Sequence, residues 1–207
     1  MLGAALTRVG RERAAQLVGV VAFATLAEFT GSILWGVYRY RLHNLPLFIP
    51  PAHGLVFLTG VALARGLARF ERTLVWAAAV ACVGWALLGL TVLPRLDVAG
   101  AAGVPLLLIF LVRSQNRGLY ASVFFVVAGL ELYGTALGTW RWAAELPGLG
   151  IPDGNPPAGV ASGYVWFDVM ALATAPALLR LARLRRRVRL ADPSAALPPA
   201  RAFSPRR

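Results

Sequence analysis

Residues 17–40 read LVGVVAFATLAEFTGSILWGVYRY. From Leu17 to Val37 this run contains one ionisable side chain, Glu28. It has the roughly 20 residues needed to cross the hydrocarbon core of a bilayer. A charged group inside such a run costs about 2.5 kcal/mol or more on insertion scales. Glu28 is therefore expected to face protein, to find a partner, or to carry a proton. The run exits through Tyr38-Arg39-Tyr40, rings and a cation of the kind found at a membrane–water interface.

The same string occurs a second time. Glu28-Phe29-Thr30-Gly31, Gly36-Val37-Tyr38-Arg39-Tyr40 and Pro46 to Ala52 are matched by Glu131-Leu132-Tyr133-Gly134, Gly138-Thr139-Trp140-Arg141-Trp142 and Pro152 to Ala158. Each copy reads E-x-x-G, then G-x-aromatic-Arg-aromatic, then P-x-x-x-P-P-A. The offset between copies is 103 at the glutamates, 102 at Gly36 and Gly138, and 106 at Pro50 and Pro156, so small insertions separate them.

The rest of the chain has the same character. Of 207 residues, 58% are hydrophobic and only 14% charged, against about half and a quarter in a soluble domain. Six apolar segments follow one another: 17–37, 51–68, 73–93, 98–112, 119–140 and 157–179. The expected class is all-α, a polytopic bundle of six transmembrane helices over residues 1–190 in the plasma membrane. Residues 191–207, made of Ala, Pro, Ser and Arg with few apolar side chains, are expected to form a disordered cytoplasmic tail. The first segment is too long for the apolar part of a signal peptide and contains Glu28, which favours an uncleaved first helix.

The net charge of +12 comes from 21 arginines and no lysine, a bias that a GC-rich bacterial coding sequence produces. The arginines gather at segment ends and in the tail, which argues against nucleic acid as partner. With both termini cytoplasmic, 17 of the 21 lie inside, as the positive-inside rule requires. The stretch 180–189 suits anionic lipid headgroups. Cys82, the single cysteine, sits in an apolar run and reads as packing. No zinc spacing, phosphate-binding glycine loop, nucleophile elbow or haem motif is present, so no metal or cofactor is expected.

Four crossings separate the two copies, making the repeat parallel, carried by helices one and two and again by five and six. Each glutamate lies nine positions before the end of its run, roughly 14 Å along a helix and close to the bilayer midplane. Gly31 and Gly134, three residues on, would permit close helix approach. Asp168 reaches similar depth in the sixth segment, with Tyr164 four residues before it, and His53 stands near the outer end of the second. Segments three and four contain no ionisable group and would form a wall beside the other four. Two roles are open for Tyr38, Tyr40, Trp140 and Trp142 with Arg39 and Arg141 between them: anchoring at the interface, or rimming a pocket that holds a polar or anionic end of a lipidic ligand. The Pro-rich segments would be stiff covers, and Asp153 and Asn155 occur only in the second copy.

Carboxylates in a low-dielectric cavity can act as general acid and base, and aromatic walls stabilise developing positive charge. The candidate catalytic set is Glu28, Glu131 and Asp168. The candidate substrate-binding set is His53, Tyr38, Arg39, Trp140, Arg141, Asn155 and Tyr164. Structural hydrogen bonding between helices is the plainer role for the same groups. On Glu28, the run Trp35 to Tyr40, Pro46 and Pro50, and on Glu131, Trp140, Trp142, Gly150-Ile151-Pro152 and Asn155, the chain resembles the integral-membrane carotenoid hydratases. That resemblance implies water addition to a carotenoid end group, a lyase activity on a membrane-dissolved isoprenoid. Carboxylates within a membrane are also a feature of small integral-membrane terpene cyclases. A small proton- or cation-coupled transporter, or a non-catalytic membrane subunit, are the other functions this pattern suits. Substrate identity and oligomeric state stay open at this stage.

Overall fold

The computed structural model describes residues 2–191; the tail expected over 191–207 lies, from residue 192 on, outside them. Seven α-helices make up most of the described chain: α1 (Leu2–Arg8), α2 (Arg11–Glu28), α3 (Ile49–Gly66), α4 (Glu71–Thr91), α5 (Val98–Arg113), α6 (Arg117–Ala136) and α7 (Val160–Ala191). Helix α2 continues as a π-helix over Phe29–Trp35, and a 3-10 turn, Ala68–Phe70, joins α3 to α4. Four short strands, β1 (Tyr38–Tyr40), β2 (Trp140–Trp142), β3 (Glu145–Leu146) and β4 (Ile151–Pro152), occupy the connections. The all-α class is as expected; the strands are an addition.

The six apolar segments correspond to α2 through α7. Four helices are long and apolar enough to cross a membrane: Arg11–Trp35, Ala68–Thr91, Arg117–Ala136 and Val160–Leu184. Helix α3 has 18 residues but opens on Pro50, Pro51 and His53, which dilute its apolar character. Helix α5 has 16 residues, about 24 Å.

Helix α2 lies against α7 and α3, α3 against α6, and α6 against α7. Helices α4 and α5 pack on each other and on α6, so they stand beside the other four as expected. Phe57, Phe124, Leu17, Leu107 and Leu111 are fully buried between the helices. Glycines allow the closest crossings: a Cβ on Gly19 would meet Ala171 at 3.1 Å, and one on Gly103 would meet the backbone of Gly159 at 3.2 Å. The outside of the bundle is apolar. Leu26, Leu34, Trp76, Val80, Val112 and Leu132 are each more than half exposed, an apolar surface compatible with a lipid surround.

Helix α6 stops at Ala136, four residues short of the expected boundary at Trp140. The cause is Gly138, which takes φ +65° and turns the chain, as Gly36 does with φ +79° in the first copy. Glycine adopts this left-handed geometry without the Cβ penalty. Beyond each turn the Gly31 carbonyl accepts from Val37 N–H at 2.8 Å, and the Gly134 carbonyl from Thr139 N–H at 2.9 Å. The first copy has one more residue than the second between its two glycines. The π-helix takes up that residue by widening the turn.

After these turns the two copies meet. β1 and β2 form an antiparallel ribbon with Tyr38 opposite Trp142, Arg39 opposite Arg141 and Tyr40 opposite Trp140. Arg41 N–H donates to the Thr139 carbonyl and Ala143 N–H to the Val37 carbonyl, extending the ribbon equally at both ends. The four additional residues of the second copy fall in the β3–β4 hairpin region, where Glu145 pairs with Pro152 and Leu146 with Ile151.

Gly31 and Gly134 do not serve helix approach as expected. A Cβ on Gly31 would meet the Tyr38 ring at 3.0 Å, and one on Gly134 would collide with the Trp140 ring. Both glycines clear the helix surface for a ring folding back from the ribbon. Gly134→Ala is accordingly expected to lower stability by about 1–3 kcal/mol through overpacking, despite alanine's better helix propensity. Gly129→Ala, on the same helix with nothing within 4 Å, should raise it by up to about 1 kcal/mol. Thermal unfolding of the two variants in detergent reads the contrast.

Candidate functional site

The site is built from the two copies of the repeated string. Glu28 closes α2 and Glu131 lies in the penultimate turn of α6. Five residues separate Glu131 from the helix end, about 8 Å along the axis. This glutamate is therefore closer to its helix end than the nine positions expected from the sequence. In each copy a hydroxyl four residues on, Ser32 or Thr135, donates to the glutamate's own backbone carbonyl, at 2.7 and 2.6 Å. This back-bond is typical of Ser and Thr in helices and extends the string to E-x-x-G-[ST], a signal legible in the sequence.

Both carboxylates are buried and each is held by the aromatic residues of its own copy. Glu28 Oε2 accepts from the Tyr38 and Tyr40 hydroxyls at 2.9 and 2.6 Å, and Glu28 Oε1 lies 2.8 Å from His53 Nε2. Glu131 Oε2 accepts from the indole N–H groups of Trp140 and Trp142 at 2.8 and 3.1 Å, and Glu131 Oε1 from the Tyr164 hydroxyl at 3.4 Å. The four aromatic residues therefore do more than anchor at an interface. They point inward and satisfy the two carboxylates. Burial, then the Glu28 charge beside them, pushes the Tyr38 and Tyr40 hydroxyls well above the usual phenol range, so both remain donors.

The two glutamates line one cavity of about 280 Å³. Its polar groups are the two carboxylates, His53 and the tyrosine and tryptophan donors; Phe48, Ile49, Val56, Leu130, Val160 and Phe167 supply apolar wall. The His53 ring stacks on Tyr164 at 4.6 Å between centroids. Its Nδ1 is buried and has no hydrogen-bond partner among the described residues. A histidine with Nε2 on a carboxylate and Nδ1 unpaired can hold or pass a proton.

Other expected site residues lie elsewhere. Asp168 is buried in α7 but does not line the cavity, and its Oδ2 has no partner among the described residues. Tyr164, four residues before Asp168 on α7, bonds Glu131. Asn155 Oδ1 accepts from the Trp142 backbone N–H at 3.0 Å, so it holds the ribbon and stays outside the cavity. Arg39 and Arg141 are exposed on the ribbon and do not line the cavity either.

Sequence reasoning missed one buried group and its neighbour. Asp97, between α4 and α5, caps α5 by accepting from Gly100 N–H at 3.0 Å. It also accepts from Gly154 N–H at 2.9 Å and Ala158 N–H at 2.7 Å. Arg95 donates to the carbonyls of Trp142, Ala143 and Asp153. Together they pin the second copy's ribbon and Pro-rich segment, and among the described residues no such pair of side chains holds the first. An Asp preceding an apolar run is a helix-cap signal; its long-range partners have no local signature. Among the described residues no three His, Cys, Asp or Glu side chains converge to hold a metal ion. Comparison with protein-family models, curated proteins and solved structures finds no match to this chain.

Asp153, in the loop before α7, is buried and its Oδ2 has no partner among the described residues. Burial, followed by the charge of Asp97, raises its pKa from 3.8 to about 7, with Arg95 opposing. The folded state thus holds this proton between about pH 4 and 7 while the unfolded chain has lost it. Stability is expected to fall as pH rises through that window, with a limiting slope of about 1.4 kcal/mol per pH unit. Asp153→Asn should flatten that part of the profile and stabilise the protein above pH 7. Unfolding midpoints across the range, compared with wild type, measure it.

Proposed function

We propose that this chain is an integral-membrane enzyme performing carboxylate acid–base chemistry, hydration or cyclisation, on a membrane-dissolved isoprenoid or carotenoid. In this reading α2 to α7 are six crossings, both termini are cytoplasmic, and the bundle is a parallel internal duplication. The matched strings, the ribbon register centred on Arg39 and Arg141, and the equivalent packing of α2 on α7 and α3 on α6 support a local two-fold relation between the copies. The mainly arginine-free midsections of the helices and the inside excess of arginine support the orientation.

The observation that carries the chemistry is the unequal support of two buried glutamates in one apolar, aromatic-walled cavity. Glu131 Oε2 faces two indole groups that can only donate, so a proton on Glu131 belongs on Oε1. From there it reaches a polyene carbon in the cavity. The alkene π pair forms the new C–H bond and leaves positive charge on the neighbouring carbon, which the aromatic faces of the wall stabilise. Glu28, with Tyr38, Tyr40 and His53 as its donors, is the base. It takes a proton from water as that water adds to the cation, or from carbon after an internal double bond has attacked it.

The same geometry favours one alternative. Aromatic rings around two carboxylates also make a cage for a lipophilic cation, as a small cation-coupled transporter would need. Lipid extracts of a host making wild type, Glu28→Gln or Glu131→Gln separate the two by mass spectrometry. An enzyme gives a product with a gain of water or an isomeric ring, reduced about a hundredfold or more in each variant, at unchanged abundance in the membrane fraction. Unaltered lipid in every strain, together with glutamate-dependent uptake of a lipophilic cation into proteoliposomes, selects the transporter.

A further inference from the structure

The ribbon has a second face. Side chains alternate across a strand. Tyr38, Tyr40, Trp140 and Trp142 turn to the cavity, and Arg39 and Arg141 line an outer basin of about 480 Å³ whose wall includes the backs of Tyr40 and Trp142. The register sets these two arginines directly opposite each other, an arrangement that like charges destabilise. Neither has a carboxylate partner: the ion pairs among the described residues are His53–Glu28 and Arg117–Glu71. Arg41, one residue past β1, enters the same basin with His43. Arg95, whose pKa is lowered first by burial, also feels the positive charge of Arg141. Gly36 and Gly138 form part of the wall, where the missing side chains leave the basin open.

We propose that this basin binds one phosphate-type anion between Arg39 and Arg141. A tetrahedral oxyanion has oxygens enough for a guanidinium fork on each side, the geometry in which arginine binds most strongly. It would also cancel the repulsion that the ribbon otherwise bears. A carboxylate, with two oxygens, satisfies one fork. The phosphate can come from solution or from a lipid headgroup at the membrane surface, and the basin's chemistry is the same for both. The site does not depend on the acid–base chemistry proposed for the cavity, because the arginines stand on the opposite face of the ribbon.

The test is thermal unfolding of the full-length protein, which reads binding and not turnover. One arm adds pyrophosphate in detergent, against chloride at matched ionic strength. The other compares nanodiscs of phosphatidylcholine with and without phosphatidic acid. Wild type is expected to gain about 3 °C or more in at least one arm. A gain with pyrophosphate identifies a soluble anion, and a gain with phosphatidic acid alone identifies a headgroup. Arg39→Glu should lose the gain while being at least as stable as wild type in chloride, since it turns the like-charged pair into an opposite one. Should that variant fold poorly, the double variant Arg39→Gln/Arg141→Gln reads the same loss without a new charge. The arginines from Arg180 onward are intact in all of these proteins. An equal gain in wild type and variants, or no gain by wild type in either arm, overturns the proposal.

Discussion

Two carboxylates buried among apolar helices need hydrogen-bond donors, and the rest of the structure is arranged to supply them. The donors of Glu28 and Glu131 come mainly from a ribbon that lies beyond the helix ends and folds its rings back over them. For that to happen each helix must end early, turn sharply and offer a bare surface. Gly36 and Gly138 provide the turn, and Gly31 and Gly134 provide the surface. The glutamate, glycine and aromatic positions of the repeated string therefore act toward one interaction. Glutamate accepts, the first glycine clears space, the second reverses the chain, and the aromatic residues donate. The arginine between them is the exception, because strand alternation turns it outward.

The two copies share this plan but differ in chemistry. Tyrosine hydroxyls and a histidine serve Glu28, whereas indoles and a distant tyrosine hydroxyl serve Glu131. A phenol can both donate and accept, and an imidazole can exchange its proton; an indole can only donate. The first half of the cavity is thus suited to moving protons and the second to fixing which oxygen of Glu131 is available. Asp97 and Arg95 add a further inequality by clamping the second copy alone. Two matched strings with unequal donors give the cavity two chemically different ends.

Much of this was legible in the chain. The apolar runs marked the helices α2 to α7 to within a few residues at most ends, and the repeated string marked Glu28 and Glu131 as the groups that matter. Glu131 stands closer to its helix end than expected, because an apolar run counts Trp140 as helix when Gly138 has already ended it. The sequence left the aromatics open between an interfacial belt and a pocket rim, because hydropathy reports where a ring stands along a segment and not which way it folds. Asp168 is a different case. A position within an apolar run does not place a side chain on the cavity face.

What the sequence by itself determined is the set of properties that depend on local pattern: apolar helices of spanning length, a string present twice, buried carboxylates that need partners, and glycines where the chain must turn. What only the tertiary structure decided is who meets whom. Tyr38 and Trp142 are 104 positions apart, and helices α5 and α6 and strands β2 to β4 separate Asp97 in the chain from its partners Gly154 and Ala158. Such pairings leave no periodicity in the chain, because a hydrogen bond between distant segments is set by how whole helices pack and not by the spacing of neighbouring residues. That packing is also what separates Arg39 and Arg141 from the cavity that the rings beside them enclose.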